Sequence, residues 1–282
     1  MSGQSMGPSK LFIISIIIFI ELLAPTLESK QETAINDTTM QNKYNSHATI
    51  DERDCIPISE EKGSSCHQVV LYQPVFPVLQ QDERQFDIVG KKWIIRQQWD
   101  QIGLSAVIWE AAIALTEYLE TQGPSLLTGR SVMELGAGTG LVGMVASSLG
   151  AQRVEITDKN IASARSNLKL NSENIQRNSV SVLELEWGVT DLCSFQAPYD
   201  VILAADVIYI EDTFPALLDT LWELSSNETL ILLSCKRRYD RDDRFFELAE
   251  KTQQFKYEII MRWTKSDNVT IYRLVKNFVD TK

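Results

Sequence analysis

The run Glu134-Leu135-Gly136-Ala137-Gly138-Thr139-Gly140, followed by Leu141-Val142-Gly143, constrains this chain more than any other feature. The apolar stretch Ser131–Leu135 leads into it and Leu141–Leu149 leaves it, so the glycines fall where a buried strand turns into a helix. Glycines suit that place because the backbone turns tightly and a ligand approaches closer than a Cβ allows. A structural turn alone does not need three of them at alternate positions. Strand signals recur at Arg153–Thr157, Val180–Leu185, Val201–Ala205 and Leu230–Ser234. Helix signals lie near Leu141–Leu149, Ile161–Leu170, Phe214–Leu224 and Asp242–Gln253. This alternation predicts an α/β fold, a mostly parallel sheet with helices on both faces. Tyr257–Trp263 and Val269–Val275 predict an antiparallel terminal hairpin at the sheet's edge. Upstream, Phe86–Val89 and Trp93–Ile95 flank Gly90-Lys91-Lys92 and read as a further hairpin. Val107, Ala111, Ala114, Leu115 and Tyr118 predict a helix over Ala106–Leu119, with the strand–helix alternation beginning after Gly123-Pro124.

The 282 residues accommodate one large domain and an appendage. Residues 68–282 are assigned to the domain and residues 26–67, rich in Glu, Ser, Thr, Asn, Asp and Gln, to a disordered linker. In residues 1–25, Lys10 precedes an apolar run, Leu11–Ile20, that resumes at Leu22–Ala24. That is short for a span of about 20 residues. It fits a signal or anchor-like segment, with membrane association through residues 11–24, or an incidental extension. A net charge of -11 argues against a nucleic-acid surface and suits a basic protein partner. Cys55, Cys66, Cys193 and Cys235 show no paired C-x-x-C spacing, so no metal is expected. Both histidines, His47 and His67, precede the domain, which is therefore expected to work without imidazole chemistry.

The loop alone does not name its ligand. Gly138-x-Gly140-x-x-Gly143, with Asp158 at the end of the next strand, also satisfies a dinucleotide fingerprint. In either case Asp158 accepts hydrogen bonds from ribose hydroxyls, its plainer alternative being a helix cap. Two features favour S-adenosylmethionine. Glu134 stands just before the first glycine, where a carboxylate can orient the loop and face a cationic methionine portion but would oppose a pyrophosphate. The terminal antiparallel hairpin is also foreign to a dehydrogenase half-domain. Asp206, in Ala204-Ala205-Asp206-Val207-Ile208-Tyr209, follows a strand at the carboxyl edge where open α/β sheets bind ligands. It can hold a target amine in line with the methyl group, or act as a cap. Tyr209 can line a target channel or pack as core. Trp109, placed within the helix before the loop, and Trp187, in Glu186-Trp187-Gly188, offer indole faces that attract a sulfonium and stack on adenine. Lys236–Arg244 is mixed in sign and reads mostly as a solvated loop and helix start, a candidate partner-facing rim.

These residues resemble the seven-β-strand protein-lysine methyltransferases of the methyltransferase-like family 21. Ala106-Val107-Ile108-Trp109-Glu110-Ala111-Ala112, the glycine loop, Ile156-Thr157-Asp158, Leu185-Glu186-Trp187-Gly188 and Ala205-Asp206-Val207-Ile208-Tyr209 carry the resemblance, which runs from about Phe86 to about Lys276. It implies a Rossmann-like seven-stranded sheet of order 3-2-1-4-5-7-6 with the seventh strand antiparallel. It also implies cofactor contacts from Trp109, Gly136, Ala137, Gly138, Asp158, Trp187 and Ala205, joined by Glu134. Asp206 and Tyr209 are the expected catalytic pair. The implied acceptors are cytosolic heat-shock chaperones of the HSPA type or, for a near sister, translation elongation factor 1-alpha. The resemblance thus predicts a cytoplasmic enzyme, whereas the apolar N-terminus would suit a membrane-anchored or secretory-pathway form. A dehydrogenase, a small-molecule methyltransferase and a chaperone-binding adaptor without turnover are the competing functions.

Overall fold

In the computed structural model, residues 78, 81–175, 179–266 and 268–277 are described. The chain divides into two units, Met1–Val75 and Phe76–Lys282, and every described residue belongs to the second. The apolar segment of residues 1–25, the linker of residues 26–67, both histidines, Cys55 and Cys66 lie outside the described residues. No helix among the described residues is long and apolar enough to cross a membrane.

Among the described residues, nine strands form two sheets. The hairpin β1 (Glu83–Ile88) and β2 (Lys91–Arg96) stands apart from a seven-stranded sheet. That sheet contains β3 (Ser131–Leu135), β4 (Arg153–Asp158), β5 (Val180–Glu184), β6 (Val201–Ala205), β7 (Leu230–Lys236), β8 (Phe255–Arg262) and β9 (Val269–Lys276). Its order is β5-β4-β3-β6-β7-β9-β8, with β9 antiparallel to both neighbours and the other pairings parallel. This is the expected 3-2-1-4-5-7-6 arrangement with its terminal hairpin at the edge. The central strands are buried nearly end to end because both faces are covered. Period-two alternation divides their side chains. Val132, Val154, Ile156, Val201 and Leu203 face one core with α1 (Glu110–Leu127), α2 (Leu141–Ser148) and α3 (Ala162–Leu170). Met133, Leu135, Ile202, Ala204, Ile231 and Leu233 face the other with α4 (Phe214–Leu224) and α5 (Asp243–Lys251).

Three local expectations are corrected. The first hairpin turns at Val89-Gly90, both with positive φ (57° and 63°), so Lys91 and Lys92 belong to β2 and not to the turn. A two-residue loop needs positive φ at both positions to match strand twist. The Glu120 carboxylate holds Val89 there by accepting its N–H at 2.6 Å. The helix predicted from Ala106 starts only at Glu110, because Val107 and Trp109 are extended and Ile108 between them is tied at both backbone groups: its N–H donates to the Gln97 Oε1 (2.9 Å) and its carbonyl accepts from Arg84 Nη1 (3.0 Å). At its other end α1 runs through Pro124 to Leu127. A proline inside a helix costs about 3 kcal/mol. Full burial of Leu127 and the packing of Gly123 against Leu149 oppose that cost.

Asn167 of α3 and Asn171, which follows its last residue, attach the hairpin. Asn171 exchanges hydrogen bonds with the backbone of Ile94 (2.9 and 2.8 Å). Asn167 does the same with Arg96 (2.8 and 3.2 Å) and also donates to the Thr139 carbonyl in the glycine loop (3.2 Å). Each amide supplies β2 with the donor and acceptor that a neighbouring strand would provide.

Candidate active site

Glu134, Asp158, Trp187, Asp206 and Arg238 lie in or just beyond β3, β4, β5, β6 and β7, at the carboxyl edge of the parallel strands, where α/β sheets bind their ligands. Within the loop, Gly136, Gly138 and Gly140 have φ of 62°, 53° and 79°, a region that disfavours any side chain. Space is equally restrictive. A Cβ on Gly138 would stand 2.4 Å from the Ser105 carbonyl oxygen, and one on Gly136 would meet Val207 at 2.7 Å and Trp187 at 3.2 Å. Close approach of the protein's own segments therefore accounts for two of the three glycines, in addition to the ligand approach inferred from sequence.

Two carboxylates hold the loop. Glu134 is 2% exposed and accepts the N–H of Gly143 at 2.8 Å, at the start of α2. Gly143 is glycine for this reason, since its Cβ would lie 2.5 Å from that carboxylate. Burial pushes the Glu134 carboxyl up to about 8, and the nearby Asp158 charge adds to the rise, against the hydrogen bond from Gly143. Glu134 thus orients the loop, as expected, but from inside the core. Asp158 is buried, with Oδ2 accepting from Gly138 N and Oδ1 from Asn160 N, both at 2.9 Å. It caps the turn before α3 and clamps the loop at once. The loop's Ala137 N–H goes to the Thr157 carbonyl (2.9 Å).

This donor set discriminates between ligands. A pyrophosphate would call on backbone N–H groups at the loop and helix start. Two of these, Gly138 and Gly143, are already given to carboxylates. With those N–H groups taken and the Asp158 carboxylate beside the loop, the site disfavours a dinucleotide, and the neighbouring indole of Trp187 suits the sulfonium nucleoside S-adenosylmethionine.

The acceptor side faces this cradle across the β3–β6 pairing, in which Leu135 lies opposite Ala204. Ala205 is half-buried at the end of β6. Asp206, next along the chain, takes a positive φ of 56° and donates its N–H to the Ser234 carbonyl (2.8 Å). Its carboxylate is paired side-on with Arg238: Nη1 donates to Oδ1 at 2.9 Å and Nη2 to Oδ2 at 2.7 Å. The Arg238 guanidinium lies 5.3 Å from the ring centroid of Trp109. Trp109 precedes α1 instead of lying within it, and its indole N–H donates to the Leu104 carbonyl (3.0 Å). Trp187 is half-buried against Gly136. Tyr209 keeps 39% of its surface exposed, while burial around its hydroxyl pushes that group's pKa up, with smaller contributions from Asp158 and Asp206.

The stretch Lys236–Arg244 is the loop and helix start expected from its mixed charge, with Arg237, Arg238, Asp240 and Arg244 exposed, but it is tied inward at two points. Asp242 is 4% exposed and accepts the backbone N–H groups of Arg238 (2.8 Å) and Tyr239 (3.1 Å). Lys236 forms an ion pair with Glu110 of α1. Sequence reasoning missed Arg238, Ser105 and the Lys236–Glu110 pair. Alternating charge looks the same whether it is solvated or folded inward.

Residues 89–252 match the family model described as lysine methyltransferase. Over 211 residues the chain is 42% identical to the protein N-lysine methyltransferase METTL21A of Danio rerio, covering 74% of this chain and 94% of that protein. It is 33% identical over 196 residues to the EEF1A lysine methyltransferase 3 of Xenopus tropicalis, covering 69% and 86%. Among solved structures, a putative SAM-dependent methyltransferase from Streptococcus mutans superposes with a TM-score of 0.53 at 14% identity. That alignment covers 69% of this chain and 56% of the other, so the chain spans just over half the length of that protein, and the likeness is one of fold.

Proposed function

The chain belongs to the lysine methyltransferase family and is an S-adenosylmethionine-dependent protein-lysine methyltransferase, and from that premise we propose that it methylates a lysine of an HSPA-type heat-shock chaperone in the cytoplasm, using Asp206 to hold the acceptor amine. The observation that carries the assignment to Asp206 is its position: a carboxylate at the end of β6, beside the strand that leads into the glycine loop. Identity to the METTL21A relative (42%) is higher than to the elongation-factor enzyme (33%), which favours a substrate other than translation elongation factor 1-alpha, and the family resemblance supplies the chaperone.

Gly136, Ala137 and Gly138 would hold the cofactor along the loop backbone, Asp158 its ribose hydroxyls, and Trp109, Trp187 and Ala205 its remaining faces. When bound, S-adenosylmethionine supplies an electrophilic methyl carbon: the amine lone pair forms the N–C bond as the C–S bond breaks, the bonding pair stays on sulfur, and the methylammonium product gives its proton to solvent. The acceptor must arrive neutral, although a free lysine has a pKa of about 10.4. Tyr209 and the indoles line a partly dry approach that disfavours the ammonium form. Asp206 accepts an amine N–H and fixes the direction of the lone pair, and orientation of that kind supplies a large share of such rate enhancements.

The test is incubation of the full chain with methyl-labelled cofactor and, separately, purified HSPA-type chaperone and purified elongation factor 1-alpha, with mass spectrometry of the products. Methyl-lysine on the chaperone is expected. Methyl-lysine on the elongation factor alone would overturn the substrate assignment.

A further inference from the structure

Arg238 is the charged group at the site for which methyl transfer has so far given no role. It leaves β7 two residues beyond Lys236 and is held there by the buried Asp242 through its backbone N–H. Its guanidinium engages both oxygens of Asp206 (2.9 and 2.7 Å), donates to the Lys236 carbonyl (3.2 Å) and lies over Trp109. The Asp206 side chain is 8% exposed and that of Arg238 30% exposed, so the pair is largely shielded from water. Burial works against the guanidinium charge. Asp206, first by its hydrogen bonds and then by its charge, nevertheless holds the pKa of Arg238 above the ordinary value, with smaller contributions from Asp242 and Glu110. The lone pairs are unevenly used. Oδ1 accepts from Arg238 and from Lys236 N (3.3 Å), whereas Oδ2 accepts only from Arg238 among the described residues. Oδ2 therefore keeps lone-pair capacity for a second donor.

A lone carboxylate at this point would orient an entering lysine and also stabilise its ammonium form, which cannot attack. The surrounding charges do not remove that difficulty. From α1, Glu110 is paired with Lys236. Beyond β7, Arg237 is paired with Asp243 and Asp242 is tied to backbone N–H groups. From β4, Asp158 is tied to the loop. Cys235 and Tyr209 are neutral, their pKa values raised first by burial. Among the described residues, only Arg238 sets a positive charge directly against Asp206.

We infer that Arg238 is a positioning residue for the transfer: its side-on hold cancels the charge of Asp206 and leaves Oδ2 able to accept, so that the acceptor lysine is oriented without being kept protonated. This rests on the role proposed for Asp206. The side-on geometry is what a guanidinium provides and an ammonium does not, and a planar fork also fixes the carboxylate's rotation.

The test is the pH profile of kcat for methyl transfer at saturating purified HSPA-type chaperone, which reports ionisations within the bound complex, with S-adenosylhomocysteine binding measured on each variant. In the unaltered protein the ionisation of the acceptor should fall clearly below the 10.4 or so of free lysine. A value at or above it would overturn the inference without any substitution. Arg238→Gln keeps a hydrogen-bond donor but no charge. It should move the profile to higher pH by about one unit, with transfer near pH 7.5 down about tenfold and cofactor binding unchanged. Arg238→Lys should restore the unshifted profile at reduced rate. If Arg238→Gln loses rate at every pH with no shift, its role is structural. If it gains rate at every pH, Arg238 obstructs the amine site. Either result refutes the inference. Undiminished transfer by Asp206→Ala would instead refute the role of Asp206 itself.

Discussion

The glycine loop is tied down by partners close to it in sequence, at Gly143 from Glu134 and at Gly138 from Asp158, nine and twenty residues away. The acceptor side draws Trp109, Asp206 and Arg238 from segments much further apart, with 32 residues between the two members of its central ion pair. The loop's bonds are carboxylate to backbone, and they survive any change of side chain that keeps glycine and the acid. On the acceptor side the central contacts, Asp206 with Arg238 and Arg238 with Trp109, are side chain to side chain, so these members depend on one another. Cofactor binding and methyl transfer should therefore fail separately.

The largest effect that would sharpen this contrast is expected at Gly138. Gly138→Ala places a Cβ 2.4 Å from a backbone oxygen at a φ of 53°. Stability should fall by about 3 kcal/mol, and S-adenosylhomocysteine affinity by more than a hundredfold, read by denaturant titration and calorimetry. Binding at the original strength would show that the loop yields where it is described as fixed.

Glu134 gives the next largest effect. Its folded-state pKa of about 8 lies above its unfolded value, so the native state binds the proton more tightly. The resulting stabilisation is complete below the unfolded value of about 4.3 and is lost as pH rises through about 8. Glu134→Gln removes the titration. Relative to that variant, the unaltered protein should lose on the order of 1 kcal/mol per pH unit across the window. Parallel stability curves from pH 5 to pH 8 would contradict the buried acid.

The smallest effect belongs to Gly90, which has a φ of 63° but nothing within 4 Å of a built Cβ. Gly90→Ala should cost only the conformational strain, about 1 kcal/mol, with cofactor binding and transfer unchanged. A larger loss would mean that positive φ alone, without the close approach found at Gly138, explains the loop.

The same contrast decides what could be read from the sequence. Strand and helix periodicity follows from burial on two faces, so Ser131–Leu135 and Val201–Ala205 were located to the residue. The glycine loop was legible because backbone conformation leaves its mark in the residues that adopt it. Asp206 was legible because an acid after a buried strand is costly unless something pairs with it. Its partner was not. Arg238 stands among Lys236, Arg237, Arg241 and Arg244, and only three-dimensional proximity separates it from these. Asn167 lies in α3 and Asn171 just after it, and their pairing with a strand 71 and 77 residues earlier leaves no periodic trace. Pro124 marks the end of most helices, so the last turn of α1 was hidden by a residue whose cost the core opposes locally. The start of α1 leaves no local signal because Gln97 and Arg84, which hold the backbone of Ile108, act from outside the segment.

The most direct test of the separation between binding and transfer is Asp206→Ala, with S-adenosylhomocysteine affinity measured by calorimetry and chaperone methylation measured on the same preparation. Affinity should stay within about threefold of the original while the transfer rate falls by about a hundredfold or more. Loss of both in equal proportion, or of neither, would contradict the account.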